Sequence, residues 1–134
     1  MDCTFCAIIT GALPTRFVYQ DEHACAFLDI NPLRAGHTLV VPRLHVQNLM
    51  DPGAPAVLGS IGAALHATAR LLTTRLPAGG VSVLQANGVA AGQEVFHLHF
   101  HLVPRLAGDR RLSDHTPDEQ ARRTLDATYR MLVD

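Results

Sequence analysis

The chain of 134 residues contains no lysine, since all 11 of its basic residues are arginine. That absence excludes a Walker-type phosphate lysine and Schiff-base chemistry, so any phosphate chemistry must use histidine, arginine or backbone amides. Charge of either sign is also scarce. A formal net charge of -1 supplies no cationic field to hold a polyanionic duplex, which argues against a nucleic-acid partner. Cysteine is limited to three residues, an odd count with no secretory signal beside it, so a disulfide framework is not expected. The opening Met1-Asp2-Cys3-Thr4-Phe5-Cys6 has neither a charged n-region nor an apolar h-region. No stretch approaches the roughly 20 apolar residues of a membrane span, and a soluble, cytosolic protein without a membrane partner is expected.

What is present is a hydrophobic content of 48%, enough for one core at this length, and one domain over residues 1–134 is expected. Residues 3–10 can form one or two helical turns before Gly11 and Pro14 break them. Phe17 to Gln20 and Ala24 to Asp29 are β-prone runs either side of Asp21-Glu22-His23, which predicts a hairpin. Gly36 to Pro42 is a third strand, closed by a proline that lacks the ladder amide. From Pro55 to Leu76, Val57, Leu58, Ile61, Leu65, Ala69 and Leu72 recur at helical spacing, and Pro77-Ala78-Gly79-Gly80 ends the helix. Val81 to Gln85 and Val95 to Val103 are two more strands, joined through the Asn87 to Gln93 loop. A last helix is expected with Thr116 as its cap and Pro117 in its first position. The fold class is therefore α+β: a five-stranded, mostly antiparallel sheet with one long helix packed on one face.

The chemistry concentrates in Val95-Phe96-His97-Leu98-His99-Phe100-His101-Leu102-Val103, where polar and apolar residues alternate strictly. Alternate side chains of a strand share a face, so three imidazoles form a row, neighbours roughly 7 Å apart, with the apolar set opposite. By itself such a row suits either a histidine nucleophile or a zinc site completed from elsewhere. Cys3 and Cys6 form a Cys-x-x-Cys knuckle, a weak metal signal alone, whose other ligands would be histidines.

The His97-x-His99-x-His101 row followed by Leu102 and Val103 resembles the histidine triad family of nucleotidyl hydrolases and transferases. The likeness extends through Phe27-Leu28-Asp29-Ile30-Asn31-Pro32, Gly36-His37-Thr38-Leu39-Val40-Val41-Pro42, and Asn87-Gly88 to Gly92-Gln93-Glu94-Val95, in unbroken order over about residues 3–105. It divides the chain into an N-terminal zinc-knuckle segment (1–14), the patterned sheet and helix (15–105) and a C-terminal loop and helix (106–134). The resemblance implies that His99 attacks the α-phosphorus of a nucleotide and that water hydrolyses the nucleotidyl-histidine. A neutral imidazole can do this if its other nitrogen donates to an acceptor, expected to be a strand carbonyl. Donors for the phosphoryl oxygens are implied at His101, His37, Asn87 and around Gln93 to Val95.

The same likeness implies that Asp29 holds the ribose hydroxyls and that Phe5, Ile8, Phe27 and Ile30 sandwich a purine base. Glu94 departs from the Ser or Thr that several branches carry there, and His101 favours the hydrolase branch over the uridylyltransferases. A bacterial, zinc-containing branch related to Hint and diadenosine polyphosphate hydrolases completes the knuckle with His45 and His97, giving structural zinc, no organic cofactor and a homodimer. The substrate class is an adenosine or guanosine phosphate conjugate. Two other readings stand beside it: a metal-dependent hydrolase with zinc on the histidine row, and a nucleotide-binding adaptor. Cys25 reads as a buried strand residue, while His23, His66 and His115 carry no assigned role. Arg105 and the loop Gly108-Asp109-Arg110-Arg111 read as solvated surface.

Overall fold

The computed structural model describes residues 3–109 and 114–134. Its elements run α1 (Thr4–Ile9), β1 (Phe17–Gln20), β2 (Ala24–Leu28), β3 (Thr38–Pro42), α2 (Ala54–Arg75), β4 (Gly80–Leu84), β5 (Phe100–Arg105), α3 (Glu119–Arg123) and α4 (Leu125–Val133). The five strands form one sheet in the order β1-β2-β3-β5-β4, and every neighbouring pair is antiparallel. Helix α2 crosses this sheet and touches all five strands, which is the α+β arrangement expected from the periodicity.

Two apolar clusters lie on opposite sides of the sheet. Ala24, Ala26, Leu28, Val40 and Leu102 face Ile61, Ala64 and Leu72 of α2 and Leu132 of α4. Cys25, Phe27, Leu39 and Val41 face Phe5 of α1. One face lies against α2 as expected, and all residues of β2 and β3 are buried, because α1 folds the N-terminal segment over the second face. Helix α2 buries Val57, Ile61, Ala64, Thr68 and Leu72. Leu58 falls outside that stripe and is exposed. The 22-residue α2 also meets the length and apolar composition of a membrane span, contrary to the expectation that no stretch would. Its alanines and leucines raise the mean hydropathy on both sides of the helix, while one face lies on the sheet.

Two further boundaries differ from expectation. Strand β5 begins at Phe100, not Val95. Pro42 has no amide for the ladder, and its carbonyl accepts from the His97 ring at 2.8 Å, so the chain through Val95 to His99 runs outside the sheet. At the C-terminus the cap is Asp118, whose carboxylate accepts from the Ala121 amide. Thr116 instead donates its amide to Asp114 at 3.0 Å, leaving Pro117 ahead of the helix. A break at Thr124 then divides the predicted single helix into α3 and α4.

The turn into β3 depends on Gly36, whose φ of +88° lies in the region open to glycine. A Cβ there would overlap the Leu76 side chain and press on the Pro104 ring. Substitution Gly36→Ala is therefore expected to destabilise the protein by about 2–4 kcal/mol, the sum of left-handed strain and overpacking. Urea unfolding monitored by circular dichroism measures it, and a loss below about 1 kcal/mol would refute this account of the turn.

Candidate functional site

His97 and His99 lie two residues apart but face different partners. The His97 ring is fully buried and directs Nδ1 toward Cys3 Sγ (3.4 Å), Cys6 Sγ (3.6 Å) and His45 Nδ1 (3.1 Å). Cys6 Sγ also lies 3.4 Å from His45 Nδ1. A tetrahedral zinc with bonds of about 2.3 Å to sulfur and about 2.0 Å to nitrogen sets edges near ~3.5 Å for S···N and ~3.3 Å for N···N. The four side chains match that tetrahedron, and their ligand atoms all lie within 4.8 Å of one another. His97 Nε2 donates to the Pro42 carbonyl, which leaves Nδ1 with its lone pair toward the cluster, the usual outer-shell arrangement of a ligating histidine. The cluster has the donors and the spacing to hold a metal ion.

His99 is fixed the other way round. Its Nδ1 donates to the His97 carbonyl at 2.7 Å, so Nε2 carries a lone pair. The acceptor is a backbone carbonyl two residues away, as the chemistry of a neutral nucleophile requires, although His97 precedes the strand on which it was expected. Edge-on contact with Phe5, 5.1 Å between centroids, holds the ring from one side. Burial lowers its pKa, opposed by the carbonyl hydrogen bond.

His101 takes the opposite tautomer through a chain of donors. The Leu33 amide donates to His37 Nδ1 at 2.9 Å, so the His37 proton lies on Nε2. That nitrogen faces His101 Nδ1 at 2.9 Å and donates to it, which leaves His101 with its proton on Nε2. These tautomers follow from the hydrogen-bond network. Burial and the neighbouring His37 push the His101 pKa down to about 4, and burial also lowers that of His37. All three rings are thus neutral at pH 7. Asp29 lies 3.5 Å from His37 Nε2, and its other oxygen accepts from the Asn31 amide. Asp29, His37 and His101 also group their ligand atoms within 4.8 Å, but here the two rings bond directly to each other.

The three-histidine row therefore differs from a flat strand. The rings of His99 and His101 lean together, 5.0 Å between centroids, while His97 belongs to the cysteine cluster. Leu98 and Leu102 are fully buried, Leu98 against Val46 and Val57 although it precedes β5, whereas Phe96 is 39% exposed.

Beside His99 lies a cavity of about 720 Å³. Phe5, Ile8, Phe27 and Ile30 form its apolar part and His37, His99, His101 and Asp29 its polar part; Glu94 and Val95 are also in its wall. All of the expected base, ribose and catalytic residues are thus brought to one place. Asn87 and Gln93 are the correction, because neither lines the cavity. Asn87 Oδ1 accepts from the Leu49 amide and from Gln85 Nε2. The buried Gln93 carboxamide accepts from Gly88 N and Asn48 Nδ2 and donates to the carbonyls of Gln47 and Val95. Both clasp loops that present Gln85, Ala86 and Glu94 to the cavity.

Two residues lie differently from their sequence reading. Arg105 is not solvated surface: it pairs with Asp109 at 2.9 Å, and Asp109 also pairs with the buried Arg34. Arg110 and Arg111 lie outside the described residues. His115, given no role, stands in the cavity wall with Pro117. No local pattern marks it, since only the return of the chain after β5 brings it there. Cys25 is buried, and desolvation raises its pKa to about 11.

Comparison with known proteins agrees with this geometry. The HIT domain model matches residues 10–108. An uncharacterized HIT-like protein of Methanocaldococcus jannaschii is 45% identical over 107 residues, covering 80% of this chain and 81% of the relative. The adenylylsulfatase HINT3 of Arabidopsis thaliana is 35% identical over 81% of this chain and 54% of its own length. A Zn-bound histidine triad family protein from Mycobacterium smegmatis superposes with a TM-score of 0.72 at 39% identity, covering 98% of this chain and 96% of that one. The chain belongs to the HIT domain family, the histidine triad proteins.

Proposed function

We propose that the protein is a nucleotidyl hydrolase that cleaves conjugates of a purine nucleoside monophosphate, of phosphoramidate or dinucleoside polyphosphate type, at the α-phosphorus through His99. The observation that carries this reading is the opposite tautomers of adjacent rings: a lone pair on His99 Nε2 and a proton on His101 Nε2. Nucleophile and donor are thereby set before substrate arrives, so neither must reorganise as charge develops.

In the first step His99 Nε2 forms a bond to phosphorus, and the bond to the leaving group breaks with its electron pair on that group, an amine leaving group taking one proton from solvent. The His97 carbonyl holds the Nδ1 proton of the resulting imidazolium, and the His101 N–H stabilises oxygen charge. Water then attacks the same phosphorus, breaking the P–N bond and releasing the monophosphate, one proton passing to solvent. Asp29 is assigned to the ribose hydroxyls, Phe5, Ile8, Phe27 and Ile30 to the base, and the backbone near Glu94 and Val95 to phosphate oxygens. Adenylylsulfate is likewise a conjugate at an α-phosphorus, which is in keeping with the activity named for the Arabidopsis relative. The zinc reading takes Cys3, Cys6, His45 and His97 as a closed, structural site with no open position for water. Zinc held by the row is disfavoured, because His97 faces the cysteines and His101, with its Nδ1 taken by His37, presents an N–H rather than a lone pair to the cavity. The cytosolic homodimer is retained in this proposal.

Three outcomes follow. Protein quenched during turnover of an adenosine phosphoramidate is expected to carry a nucleotidyl adduct on His99 by mass spectrometry. His99→Ala should lose at least about 10⁴-fold in kcat, as removal of a nucleophile does, and an adduct on another residue would refute the assignment. Elemental analysis should find one zinc per chain, and the Cys3→Ser, Cys6→Ser double variant should lose it and melt about 10 °C lower. A second zinc bound by the row would favour the metal-dependent alternative. Because burial depresses the pKa of His99 and takes that of His101 to about 4, the acid limb of kcat/KM should fall well below the ordinary imidazole value. The linked stability has the same sign: it is fully present above the unfolded pKa of about 6.5 and is lost as pH falls toward 4. Rate profiles and thermal melts between pH 4 and 8 check both, and an acid limb at the unperturbed value would contradict the burial argument.

A further inference from the structure

The cavity beside His99 must receive a substrate that carries negative charge beyond its α-phosphate, yet among the described residues no arginine lines it. Its ionised side chains are Asp29 and Glu94, which repel an anion. Three of its four imidazoles are already engaged. His99 is the nucleophile under the reading above, His101 faces the transferring group, and His37 is bonded at both nitrogens, to the Leu33 amide and to His101.

The fourth is His115. It lines the cavity with Pro117, is exposed at the mouth, and has no hydrogen-bond partner among the described residues. A positive charge on it would lower the pKa values of His37 and His101. The segment is anchored just beyond it. The Asp118 amide donates to the Pro32 carbonyl at 2.7 Å, and the Asp118 carboxylate caps α3. Pro32 belongs to the same β2–β3 connection that carries Asp29, Leu33 and His37, so the His115 segment is tied to the backbone that positions the catalytic rings.

We propose that His115 is a specificity-determining residue that donates a hydrogen bond to an anionic oxo leaving group, a phosphate or sulfate attached at the α-phosphorus. The inference rests on the hydrolase reading and extends it to the leaving-group side. Among the described residues it is the cavity imidazole that no other group engages. Leaving groups that are neutral amines make no such demand, so His115 discriminates between conjugate classes.

The test compares wild-type protein with His115→Ala and His115→Gln, and with His66→Ala on the exposed face of α2 as control. Two readouts are needed. The first is the ratio of kcat/KM for diadenosine triphosphate, and separately for adenosine 5′-phosphosulfate, to that for adenosine 5′-phosphoramidate. The second is the ratio of ADP to AMP affinity by calorimetry. His115→Ala is expected to lower the phosphate-bearing ratios by about tenfold, the value of one hydrogen bond to a charged group. The phosphosulfate arm shows whether sulfate is served by the same donor. The glutamine variant, which keeps a donor, should recover most of the loss, and His66→Ala should leave the ratios unchanged. Ratios unmoved by His115→Ala in both readouts would overturn the inference. Wild-type protein that cleaves none of the conjugates would overturn the hydrolase reading instead, and the ADP to AMP affinity ratio would still decide the role of His115.

Discussion

One residue, His97, joins the two halves of the site, and the remaining geometry depends on how its polar groups are engaged. Its Nε2 proton is held by the Pro42 carbonyl, its Nδ1 lone pair points at Cys3, Cys6 and His45, and its own carbonyl accepts the His99 Nδ1 proton. Rotation of this residue would release the N-terminal helix from the sheet and free the His99 ring to change tautomer. A buried polar group left without a partner costs a few kcal/mol, so each of these bonds holds the others in place. The knuckle therefore determines the orientation of the His99 ring from behind, without taking part in bond making.

Neighbouring imidazoles of identical chemistry acquire different functions through what lies behind them. A carbonyl behind His99 makes it a lone-pair donor toward the cavity, and a chain of N–H donors behind His101 makes it a proton donor. The chain starts from the backbone amide of Leu33, which cannot titrate in this range, so its polarity is stable as long as His37 remains neutral. Burial keeps it so. Gly36 enters the same argument from the packing side: the absence of a Cβ lets the chain pass against Leu76 and Pro104, placing His37 within reach of His101.

Much of this was legible in the sequence, for physical reasons that differ by element. The 3.6-residue period reports burial at Val57, Ile61 and Leu72 but not at Leu58, and the alternation reports it at Leu98 and Leu102 but not at Phe96, while His97 on the polar side is fully buried. The cysteine–histidine cluster and the rings around the cavity were legible through spacing and family resemblance, and the structure brings Cys3, Cys6, His45 and His97 together as that resemblance implied. What was not legible depends on partners distant in sequence. The start of β5 is set by Pro42 across the sheet, and the C-terminal cap by an Asp118 amide that reaches Pro32. Asn87 and Gln93 have the composition of phosphate ligands, but their carboxamide N–H groups are taken up by Gln85 Oε1 and by the carbonyls of Gln47 and Val95. His115 shows the converse, a residue with no local pattern brought to the cavity by the fold.

The electrostatic character of the cavity bears on turnover. Neutral imidazoles, aromatic and aliphatic walls and two carboxylates line it, with no arginine among the described residues. A site of this kind binds its ligand by stacking and short-range hydrogen bonds, and long-range attraction contributes little. That suits the reaction proposed above, whose product would be more highly charged than the bound ester, because a nucleoside monophosphate would gain a full negative charge when water releases it from His99. A strongly cationic pocket would hold that dianion and slow its departure. Here the carboxyl groups of Asp29 and Glu94 disfavour the bound dianion relative to the same product free in water, so for the proposed reaction the lack of fixed positive charge around the described cavity favours release of the product.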